Sequence, residues 1–588
     1  SLTAKLMDAA GNVSAASGAV TGAIDATAPS APTLSLSGDT VTVTGEAGGS
    51  VKIFDSGSNI THKFTISGAS GTYSAVANPA AFTGSESLSL TATITDASGN
   101  ESATQAAVTG TIDTTAPSFV SQSGTYFDTT GTENYFEEPK ITQLGNGEYI
   151  VGWRAFTSGS DISLYTQRLD TNGVAKGSAI KHSSLNASGS EDNMSIVSLG
   201  TGGTYAVVWE HRNRTDVANQ EEITVQVVKP DDTLETAYTL TTTSSSDRKV
   251  EPTVVEYDTG KFVVAYTNGS QAQAINGGSY DIYTNVKAAF FTDTGAIDTS
   301  MGTSGYLDLD TDLGATNIAI GNSNAGISGN PLIVKQPSIG DIIFAWTEHD
   351  DTDFNVAVTV YDVDATSTPL STRFSTKVVL DYGTGDRDVN PQILTKSDDG
   401  TFTVFWESTD GEGATTIVAQ PFTAAGATTG SRATISGGSD PQVQDFGDTS
   451  TLGAIAYKHG SDVKVSAAFT ASALSTPVTL TNADPNTAYQ LVEMSAGKFA
   501  VVYGVDLGSG LSRVAVQKFK ADGTADGSAI TLPAGSARGG LKFDPQVSYD
   551  AGDGSLLVLW DDGTNNTNSS AATKTDGIWL HKVLSDGT

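Results

Sequence analysis

The stretch DPQVSYDAGDGSLLVLWDD, residues 544–562, contains a pattern that this chain repeats many times. A proline is followed by an alternating segment, a Gly-bearing turn, a hydrophobic segment, and a Trp with acidic residues after it. NPQILTKSDDGTFTVFWES from Asn390 and EPKITQLGNGEYIVGWRAF from Glu138 have the same form. Alternating or short apolar runs bounded by Gly, Asp and Asn predict β-strands joined by tight turns. The repeated unit is therefore predicted to be a β-hairpin with further strands after it.

The second strand of this unit ends in Trp or Tyr eight times after residue 118. These aromatic residues are Trp153, Trp209, Tyr266, Trp346, Trp406, Tyr457, Tyr503 and Trp560. A third strand and a weaker fourth strand follow each hairpin. Four strands per unit at this spacing are typical of propeller blades. The sequence predicts an all-β chain in which residues 118–588 form an eight-bladed β-propeller.

The two ends of this region predict how the ring closes. The last unit stops after its third strand, GIWLHKVLSDGT, and an orphan strand, GTYFDTT (124–130), precedes the first unit. We expect the orphan strand to complete the last blade, because closure removes exposed strand edges. Six prolines are expected at the first position of innermost strands, where a missing N–H is tolerated. The aromatic residues are expected to pack between blades first and to serve as ligand platforms second.

Composition excludes several classes of function. The 588 residues carry a formal net charge of −35 and no cysteine. Such a surface repels phosphate backbones and anionic lipid, so no nucleic-acid partner is expected. No apolar run approaches the ~20 residues of a membrane helix, so no membrane insertion is expected. The acidity is compatible with divalent cations, and equally with a large extracellular protein kept soluble by its charge.

A second repeat occupies the start of the chain. Residues 1–29 match residues 89–117 in register, and Asp8 falls on Asp96. A fixed period of this size indicates tandem domains. Residues 1–28 are predicted to be the C-terminal part of a preceding repeat, and residues 29–117 one complete copy. About seven short alternating strands in that copy predict an Ig-like β-sandwich.

The segment DASGNES followed by IDTTAP resembles the bacterial Ig-like repeats of giant secreted RTX-type adhesins. In that family, carboxylates at domain junctions bind Ca²⁺ and stiffen the rod. The resemblance implies Ca²⁺ ligation by Asp8, Asp25, Asp96 and Asp113, with Asn12 and Asn100 as carbonyl donors. Hard oxygen ligands of this kind suit Ca²⁺. The alternative is that Asp-x-x-Gly-Asn forms a β-turn in which Asp and Asn cap their own backbone.

The longest insertion contains a further acidic motif, DLDTDLG. Its carboxylates, Asp308, Asp310 and Asp312, resemble a Ca²⁺-binding loop. The Gly comes one position late and the twelfth position is Ala319, so this is no EF-hand. A weak Ca²⁺ site and a plain acidic strand both stay open.

The loops after the aromatic residues are polar and acidic, and they share one face of a propeller. Aromatic and acidic residues gathered there form the predicted ligand-binding set: Trp209, Glu210, Trp346, Glu348, Asp350, Trp406, Glu407, Asp410, Trp560, Asp561 and Asp562. Such a face suits Ca²⁺ or a sugar, and the alternative is an ordinary solvated rim. No zinc spacing, nucleophile elbow or P-loop is present, so no enzymatic activity is expected.

The blade repeat also resembles repeats of large Ca²⁺-dependent bacterial surface proteins of the RTX type. The resemblance implies a secreted protein at the bacterial cell surface, monomeric within a longer chain. The expected function is that of an adhesin fragment. Its Ca²⁺-stiffened spacer would carry a propeller that binds a glycan or protein of a cell surface or biofilm matrix. Two alternatives stay open: a propeller glycosidase or polysaccharide lyase acting on extracellular polysaccharide, and a structural spacer with no ligand.

Overall fold

The computed structural model divides the chain into two units, Ser1–Ser121 and Gln122–Thr588. It describes every residue outside the following ranges: 23–24, 38–39, 78–80, 82–84, 114–124, 128–132, 158–161, 183–188, 214–219, 242–248, 269–270, 276–277, 283–284, 302–304, 310–330, 350–353, 366–372, 384, 447–452, 471–472, 507–511, 533–543, 562–577 and 585–588. Helical segments with described bounds are the 3₁₀ turns Thr61–Lys63 and Ser495–Gly497. Among the described residues, no helix has the length and apolar character needed to span a membrane.

The first unit is a two-layer β-sandwich. Its strands are β1 (Thr33–Ser37), β2 (Thr40–Thr44), β3 (Ser50–Asp55), β4 (Ser58–Asn59), β5 (Phe64–Ser67), β6 (Thr72–Ala77), β7 (Ser85–Thr95) and β8 (Val108–Asp113). They form two antiparallel sheets, in the orders β1-β2-β6-β5 and β4-β3-β7-β8. Alternate residues such as Val41, Ile53 and Leu90 point inward and are fully buried, as the period of two predicts. The Ig-like assignment of this sandwich stays a prediction.

The repeat at the start of the chain shows how much burial depends on the opposing sheet. In the complete copy, Leu90 and Ile94 are 0% exposed, whereas the matching Leu2 and Leu6 are 69% and 80% exposed. Residues 1–22 form hairpin contacts, with bridges Leu2↔Val20 and Met7↔Val13. The same sequence positions are therefore core residues only where a second sheet packs over them.

Tyr73 fastens a turn to the core of the sandwich. Its buried ring is 3% exposed, and its hydroxyl donates to the carbonyl oxygen of Glu46 at 2.7 Å. The backbone N–H of Gly49 donates to the same hydroxyl at 2.9 Å. Two backbone groups of one turn thus depend on a single side-chain oxygen.

Tyr73→Phe is expected to destabilise the first unit by about 1–2 kcal/mol, because both backbone groups lose their partner while the ring still fills its space. Urea unfolding followed by circular dichroism measures this. Ser67→Ala is the control, since its exposed hydroxyl lies 3.5 Å from its acceptor, and it is expected to change stability by less than about 0.5 kcal/mol. Equal effects of the two variants would contradict the role of Tyr73.

The second unit is a β-propeller of eight blades. Blade 1 contains β10 (Glu133–Gln143), β11 (Tyr149–Thr157), β12 (Ile162–Leu169) and β13 (Ala175–His182); blade 2 contains β14 (Gly189–Leu199), β15 (Thr204–Asn213), β16 (Gln220–Val228) and β17 (Tyr238–Leu240). Blade 3 contains β18 (Lys249–Asp258), β19 (Lys261–Asn268), β22 (Asn285–Phe291) and β23 (Tyr306–Asp308), with the hairpin β20 (Gln271–Ile275) and β21 (Gly278–Ile282) inserted after β19. Blade 4 contains β24 (Leu332–Lys335), β25 (Ile342–His349), β26 (Phe354–Tyr361) and β27 (Val378–Leu380).

The remaining blades follow the same order from the channel outward. Blade 5 contains β28 (Arg387–Thr395), β29 (Phe402–Thr409), β30 (Thr415–Phe422) and β31 (Ala433–Ser436); blade 6 contains β32 (Gly438–Asp445), β33 (Gly453–His459), β34 (Asp462–Thr470), β35 (Ala473–Leu474) and β36 (Val478–Thr479). Blade 7 contains β37 (Tyr489–Glu493), β38 (Phe499–Asp506), β39 (Ser512–Phe519) and β40 (Ile530–Thr531). Blade 8 contains β41 (Gln546–Tyr549), β42 (Leu556–Asp561), β43 (Ile578–Val583) and β9 (Thr125–Phe127).

The ring closes as the sequence predicts. Strand β9 from the start of the unit pairs antiparallel with β43 from its end, with Tyr126 opposite Trp579. Blade 8 thereby receives its fourth strand from the other end of the propeller chain. Because β9 pairs with β43, the outer edge of β43 is not left exposed.

Hydrophobic clusters of described residues fill the eight seams between neighbouring blades. At the closing seam, Trp153 and Val151 of blade 1 pack with Leu557 and Ile578 of blade 8. The eight aromatic residues do not end the second strands as predicted, because each strand continues for one to four residues beyond them. Each aromatic residue packs toward the preceding blade in its seam. All eight aromatic residues are at most 4% exposed. Their predicted structural role, packing between blades, is confirmed.

Candidate active site in the propeller channel

The innermost strands of seven blades line a polar cavity of about 740 Å³ at the propeller axis. Six blades each contribute a carboxyl or carboxamide residue to its lining at the same strand position. We call these six residues the channel ring: Glu138, Asn193, Glu251, Asn390, Asp440 and Asp544. Blade 7 contributes no lining residue; there Tyr489 donates its hydroxyl to the carbonyl oxygen of Asp440.

Five members of the channel ring have a left-handed backbone conformation. The φ angles are 52° for Glu138, 47° for Asn193, 57° for Glu251, 56° for Asn390 and 51° for Asp440. Each lies where the pairing of the first and second strands shifts register, which marks a β-bulge. A bulge leaves one residue unpaired and redirects its side chain. The same local device therefore places a polar side chain at the channel in five blades.

Proline follows the channel-ring residue in most blades. Pro139, Pro252, Pro391 and Pro441 lie inside their strands, at the bulges, and not at the first strand position that the sequence analysis predicts. The missing N–H of proline again explains its position. A bulge interrupts the hydrogen-bonded ladder, so a residue without an N–H is tolerated there.

Residues that follow the aromatic residues hold the channel ring in place. Glu210 Oε2 accepts a hydrogen bond from Asn193 Nδ2 at 2.9 Å and one from the backbone N–H of Glu251 at 3.4 Å. In blade 5, Glu407 Oε2 accepts from the backbone N–H of Asp440 at 2.8 Å. Two of these acids thus brace the bulge of the next blade, because the side chain crosses the seam.

A cationic side chain occupies the same position in two other blades. The guanidinium of Arg154 lies 3.2 Å from Glu138 and also pairs with Glu137 and Asp192. Burial raises the pKa of Glu138, and the positive charge of Arg154 opposes this shift. One guanidinium therefore serves three carboxylates. In blade 6, Lys458 Nζ lies 2.8 Å from Asp440 Oδ2.

Two glutamates at the seam of blades 2 and 3 have strongly shifted acidity. Burial raises the pKa of the Glu251 carboxyl to about 7, with a contribution from the negative charge of Glu221. Burial also raises the pKa of Glu210 to about 7, again reinforced by Glu221. Glu251 Oε2 is buried and has no hydrogen-bond partner among the described residues. A carboxyl with this pKa holds or releases a proton near neutral pH.

Glu210→Gln is expected to flatten the decline in stability between about pH 5.5 and pH 8 by roughly 2 kcal/mol. Folding raises the pKa of Glu210 from 4.5 to about 7, so the folded state retains a proton that the unfolded state releases. This contribution is complete below pH 4.5 and is lost as the pH rises through 7. Urea denaturation at the two pH values measures the effect.

The control for that experiment is Glu235→Gln, which removes a half-exposed carboxylate 3.3 Å from Lys229. It is expected to keep the wild-type dependence of stability on pH, since exposed pairs contribute little. A pH dependence of Glu210→Gln identical to that of the control would contradict the shifted acidity of Glu210.

The structure separates the predicted ligand-binding set. Trp209, Trp346 and Trp406 are 0% exposed and Trp560 is 4% exposed, so the proposed stacking of their rings on a ligand is wrong. Both faces of each ring are covered by packing in the seams, so neither face is available to a ligand. Glu210 and Glu407 act behind the channel ring, as described above.

The other described members of that set are absent from the channel lining. Glu348 is buried against Lys377 at 2.8 Å, and Asp561 is 6% exposed. Asp410 caps its own turn, accepting the N–H groups of Glu412 at 3.0 Å and Ala414 at 2.8 Å. Asp350 and Asp562 are outside the described residues.

The residues predicted to bind Ca²⁺ in the first unit form capped turns. Asp96 Oδ1 accepts the N–H groups of Ser98 at 2.8 Å and Asn100 at 2.9 Å, and Oδ2 accepts Asn100 Nδ2 at 2.9 Å. Asp8 and Asn12 repeat this arrangement. These are the bonds of the turn alternative, and they lower the pKa of both aspartates, with the Asn side-chain bond as the main cause.

The remaining candidate Ca²⁺ ligands form no common site in the described part of the chain. Asp25 is exposed and accepts the N–H of Thr27 at 3.0 Å. The side chains of Asp113 and Asp308, and all of Asp310 and Asp312, are outside what the structure describes. Among the described residues, no group of three or more His, Cys, Asp or Glu side chains is placed to hold a metal ion. Ca²⁺ binding stays a prediction that these contacts do not support.

Comparison with known proteins yields fold neighbours only. No protein-family model and no curated protein matches the chain. Among solved structures, it is similar to a variant of the NanB sialidase from Streptococcus pneumoniae at 12% identity and a TM-score of 0.34, covering 91% of this chain and 90% of that one. It is also similar to an α-L-arabinanase from Penicillium chrysogenum at 13% identity and a TM-score of 0.34, covering 79% and 95%.

These neighbours correct the expected function. They are glycosidases, as is a leech intramolecular trans-sialidase with 9% identity and a TM-score of 0.34, covering 91% of this chain and 94% of that one. The expectation of an adhesin fragment without enzymatic activity is contradicted by this finding. At such TM-scores the likeness concerns the propeller architecture alone, so the function is argued below from the chain's own residues.

The sequence analysis missed the channel ring, although a signal for it exists. A carboxyl or carboxamide residue precedes the proline of five described innermost strands, at Glu138, Glu251, Asn390, Asp440 and Asp544. Asn193 holds the same place before a Met. A polar residue repeated at one position of a structural repeat indicates a shared environment. The acids after the aromatic residues were predicted to bind the ligand instead. Glu210 and Glu407 among them lie behind the channel ring.

Proposed function

We propose that this protein is a glycan-active hydrolase that cleaves glycosidic bonds at the channel ring of its propeller. The observation that carries the proposal is Glu251, a cavity-lining carboxyl with a pKa of about 7 and a buried, unpartnered Oε2. Glycosidases of the two-carboxylate type use one carboxyl with a raised pKa as general acid and a second carboxylate as base or nucleophile.

Asp440 is the second carboxylate in this proposal. It lines the same cavity, and the ammonium of Lys458 lies 2.8 Å from its Oδ2. The backbone N–H of Asp440 is held by Glu407, so the carboxylate sits on a fixed bulge. Burial raises the pKa of Glu251, whereas a cation lies beside Asp440, and two carboxyl groups in such contrasting environments are the pattern that assigns acid and base roles.

The reaction follows from these assignments. Glu251 gives its proton to the glycosidic oxygen as the bond from that oxygen to the anomeric carbon breaks. A water molecule adds its oxygen to the anomeric carbon, and its proton passes to Asp440. The positioned acid contributes about 10²–10⁴-fold to the rate.

The cavity suits a carbohydrate in size and lining. A volume of about 740 Å³ falls within the range of small-molecule sites, about 300–1,000 Å³. Asn193, Gln392 and Gln442 line it and offer amide groups to sugar hydroxyls. Secretion and the cell-surface location stay predictions from sequence.

A panel of 4-nitrophenyl glycosides and polysaccharides, assayed for released nitrophenol or new reducing ends, tests the proposal. Cleavage of at least one glycosidic linkage is expected, with activity on natural linkages lost in both Glu251→Gln and Asp440→Asn. Wild-type rates on natural linkages in either variant would overturn the assigned roles, and no cleavage of any linkage in the panel would overturn the activity.

A further inference from the structure

The channel ring has more negative charge than its own cations balance. Of the four carboxyl residues that line the cavity, Glu251 carries the proton to be donated and Asp440 is paired with Lys458. Glu138 and Asp544 remain, and Lys140 is the one cationic residue among the described residues of the lining. The whole chain has a formal net charge of −35. A cleft lined by one sign of charge attracts ligands of the other sign. An anionic sugar is thus disfavoured in this channel.

An excess of carboxylates over cations lies on the side of blades 8 and 1. Arg154 is shared by Glu137, Glu138 and Asp192, so one guanidinium faces three carboxylates. Glu138 is the member of this group that lines the cavity, and Asp544 lines it from the adjacent blade. Asp544 Oδ1 accepts a hydrogen bond from Gln546 Nε2 at 3.2 Å. Counting Lys140, two cations on this side meet four carboxylates.

One neutral member of the channel ring, Asn193, also favours a hydrogen-bond donor as ligand. Asn193 uses Nδ2 to donate to Glu210, so its amide offers the cavity the acceptor Oδ1. An ammonium group has three donors and no acceptor, and it pairs with carboxylate and carbonyl oxygens. The buried and unpartnered Oε2 of Glu251 independently marks the cavity as a place where a ligand completes the hydrogen bonding.

We propose that the substrate is a glycan with free amino groups, whose ammonium binds between Glu138 and Asp544 while Glu251 faces the glycosidic oxygen. This inference rests on the proposed function and adds the substrate class to it. The ammonium sits on the side of blades 8 and 1, because a cation directly beside Glu251 would favour loss of the proton that Glu251 donates.

Binding to the Glu251→Gln variant tests the substrate class without turnover. Isothermal titration compares three oligosaccharides of equal length: one with free amino groups, its N-acetylated form, and a uronic-acid oligomer. We expect the amino form to bind about tenfold or more tightly than the acetylated form, with the difference shrinking as salt rises. Equal or tighter binding of the acetylated or uronic form would overturn the inference.

A matched pair of variants locates the ammonium. Asp544→Asn is expected to remove most of the preference for the amino form. Asp462→Asn removes the same charge from the exposed first residue of β34 and is expected to leave the preference unchanged. Melting curves of both variants confirm the fold. An unchanged preference in Asp544→Asn would place the ammonium elsewhere and overturn the assigned site.

Two further readouts separate the sources of failure. Spermidine, which has ammonium groups but no sugar, is expected to bind about tenfold more weakly than the amino oligosaccharide; equal binding would overturn the glycan assignment. Tight binding of the amino oligosaccharide without cleavage by the wild-type protein would overturn the hydrolase proposal and leave the ligand class intact. Cleavage restricted to neutral or uronic glycans would overturn the ligand class and leave the hydrolase proposal intact.

Discussion

Glu251→Gln is expected to lower kcat for glycan cleavage by about 10²–10⁴-fold while changing substrate affinity only slightly. Glutamine has nearly the shape of a protonated glutamate, so the bulge in β18 and the packing around it are retained. It lacks the proton that has to reach the departing oxygen. The loss therefore falls on the chemical step, because the interaction is made only in the transition state.

The dependence on the leaving group distinguishes proton donation from a general loss of structure. A nitrophenolate departs without protonation, so Glu251→Gln is expected to cleave 4-nitrophenyl glycosides with a much smaller deficit than natural linkages. Asn390→Ala is the control: it changes a neutral member of the channel ring and is expected to shift KM more than kcat. Equal deficits of Glu251→Gln on both substrate classes would contradict its role as general acid.

The pH profile gives the same assignment a second test. Since the pKa of Glu251 is about 7, the fraction of enzyme with the proton in place falls as the pH rises through that value. Activity on natural linkages is thus expected to decline on the alkaline side of about pH 7. The residual activity of Glu251→Gln is expected to lack this alkaline limb.

Trp406→Ala is expected to reduce the free energy of unfolding by about 3–5 kcal/mol. The ring is 0% exposed and packs in the seam of blades 4 and 5 against Val358 and Leu380. The guanidinium of Arg432 lies 5.6 Å from the ring centroid and covers its other side. Removing the ring leaves a cavity between two rigid sheets that cannot close, because each blade is held by its own hydrogen-bonded ladder.

Guanidinium unfolding followed by far-ultraviolet circular dichroism measures the loss. Tyr382→Ala is the control, since Tyr382 is 42% exposed, and it is expected to cost less than about 0.5 kcal/mol. Ligand affinity of folded Trp406→Ala is expected to stay at the wild-type value. A loss of affinity without a loss of stability would restore the interpretation of this ring as a ligand platform.

Much of the propeller was predictable because its signals are local or periodic. The alternation of apolar residues determines which side chains can share a buried face, and the eight aromatic positions mark one strand in each blade. The orphan strand near Tyr126 and the missing fourth strand after Trp579 could be matched by counting strands. Their observed pairing follows from that count.

The candidate site was less predictable, since it depends on backbone geometry that residue patterns do not encode directly. A polar residue before a proline is ordinarily a turn signal. Nothing in the sequence around Glu138 or Glu251 shows that the backbone turns left-handed at a bulge and places the side chain at the axis. Likewise, burial of Glu210 and its contact with the N–H of Glu251 require two blades to be packed side by side.

By itself, the sequence determined the all-β class, the number of blades, the closing strand and the packing role of the aromatic residues, because strand period and repeat count are properties of the chain. The tertiary structure alone decided which acids meet. Six ring residues, spread from Glu138 to Asp544, converge only after eight sheets have closed around one axis. Their protonation behaviour follows from the desolvation that this closure imposes on Glu251 and Glu210.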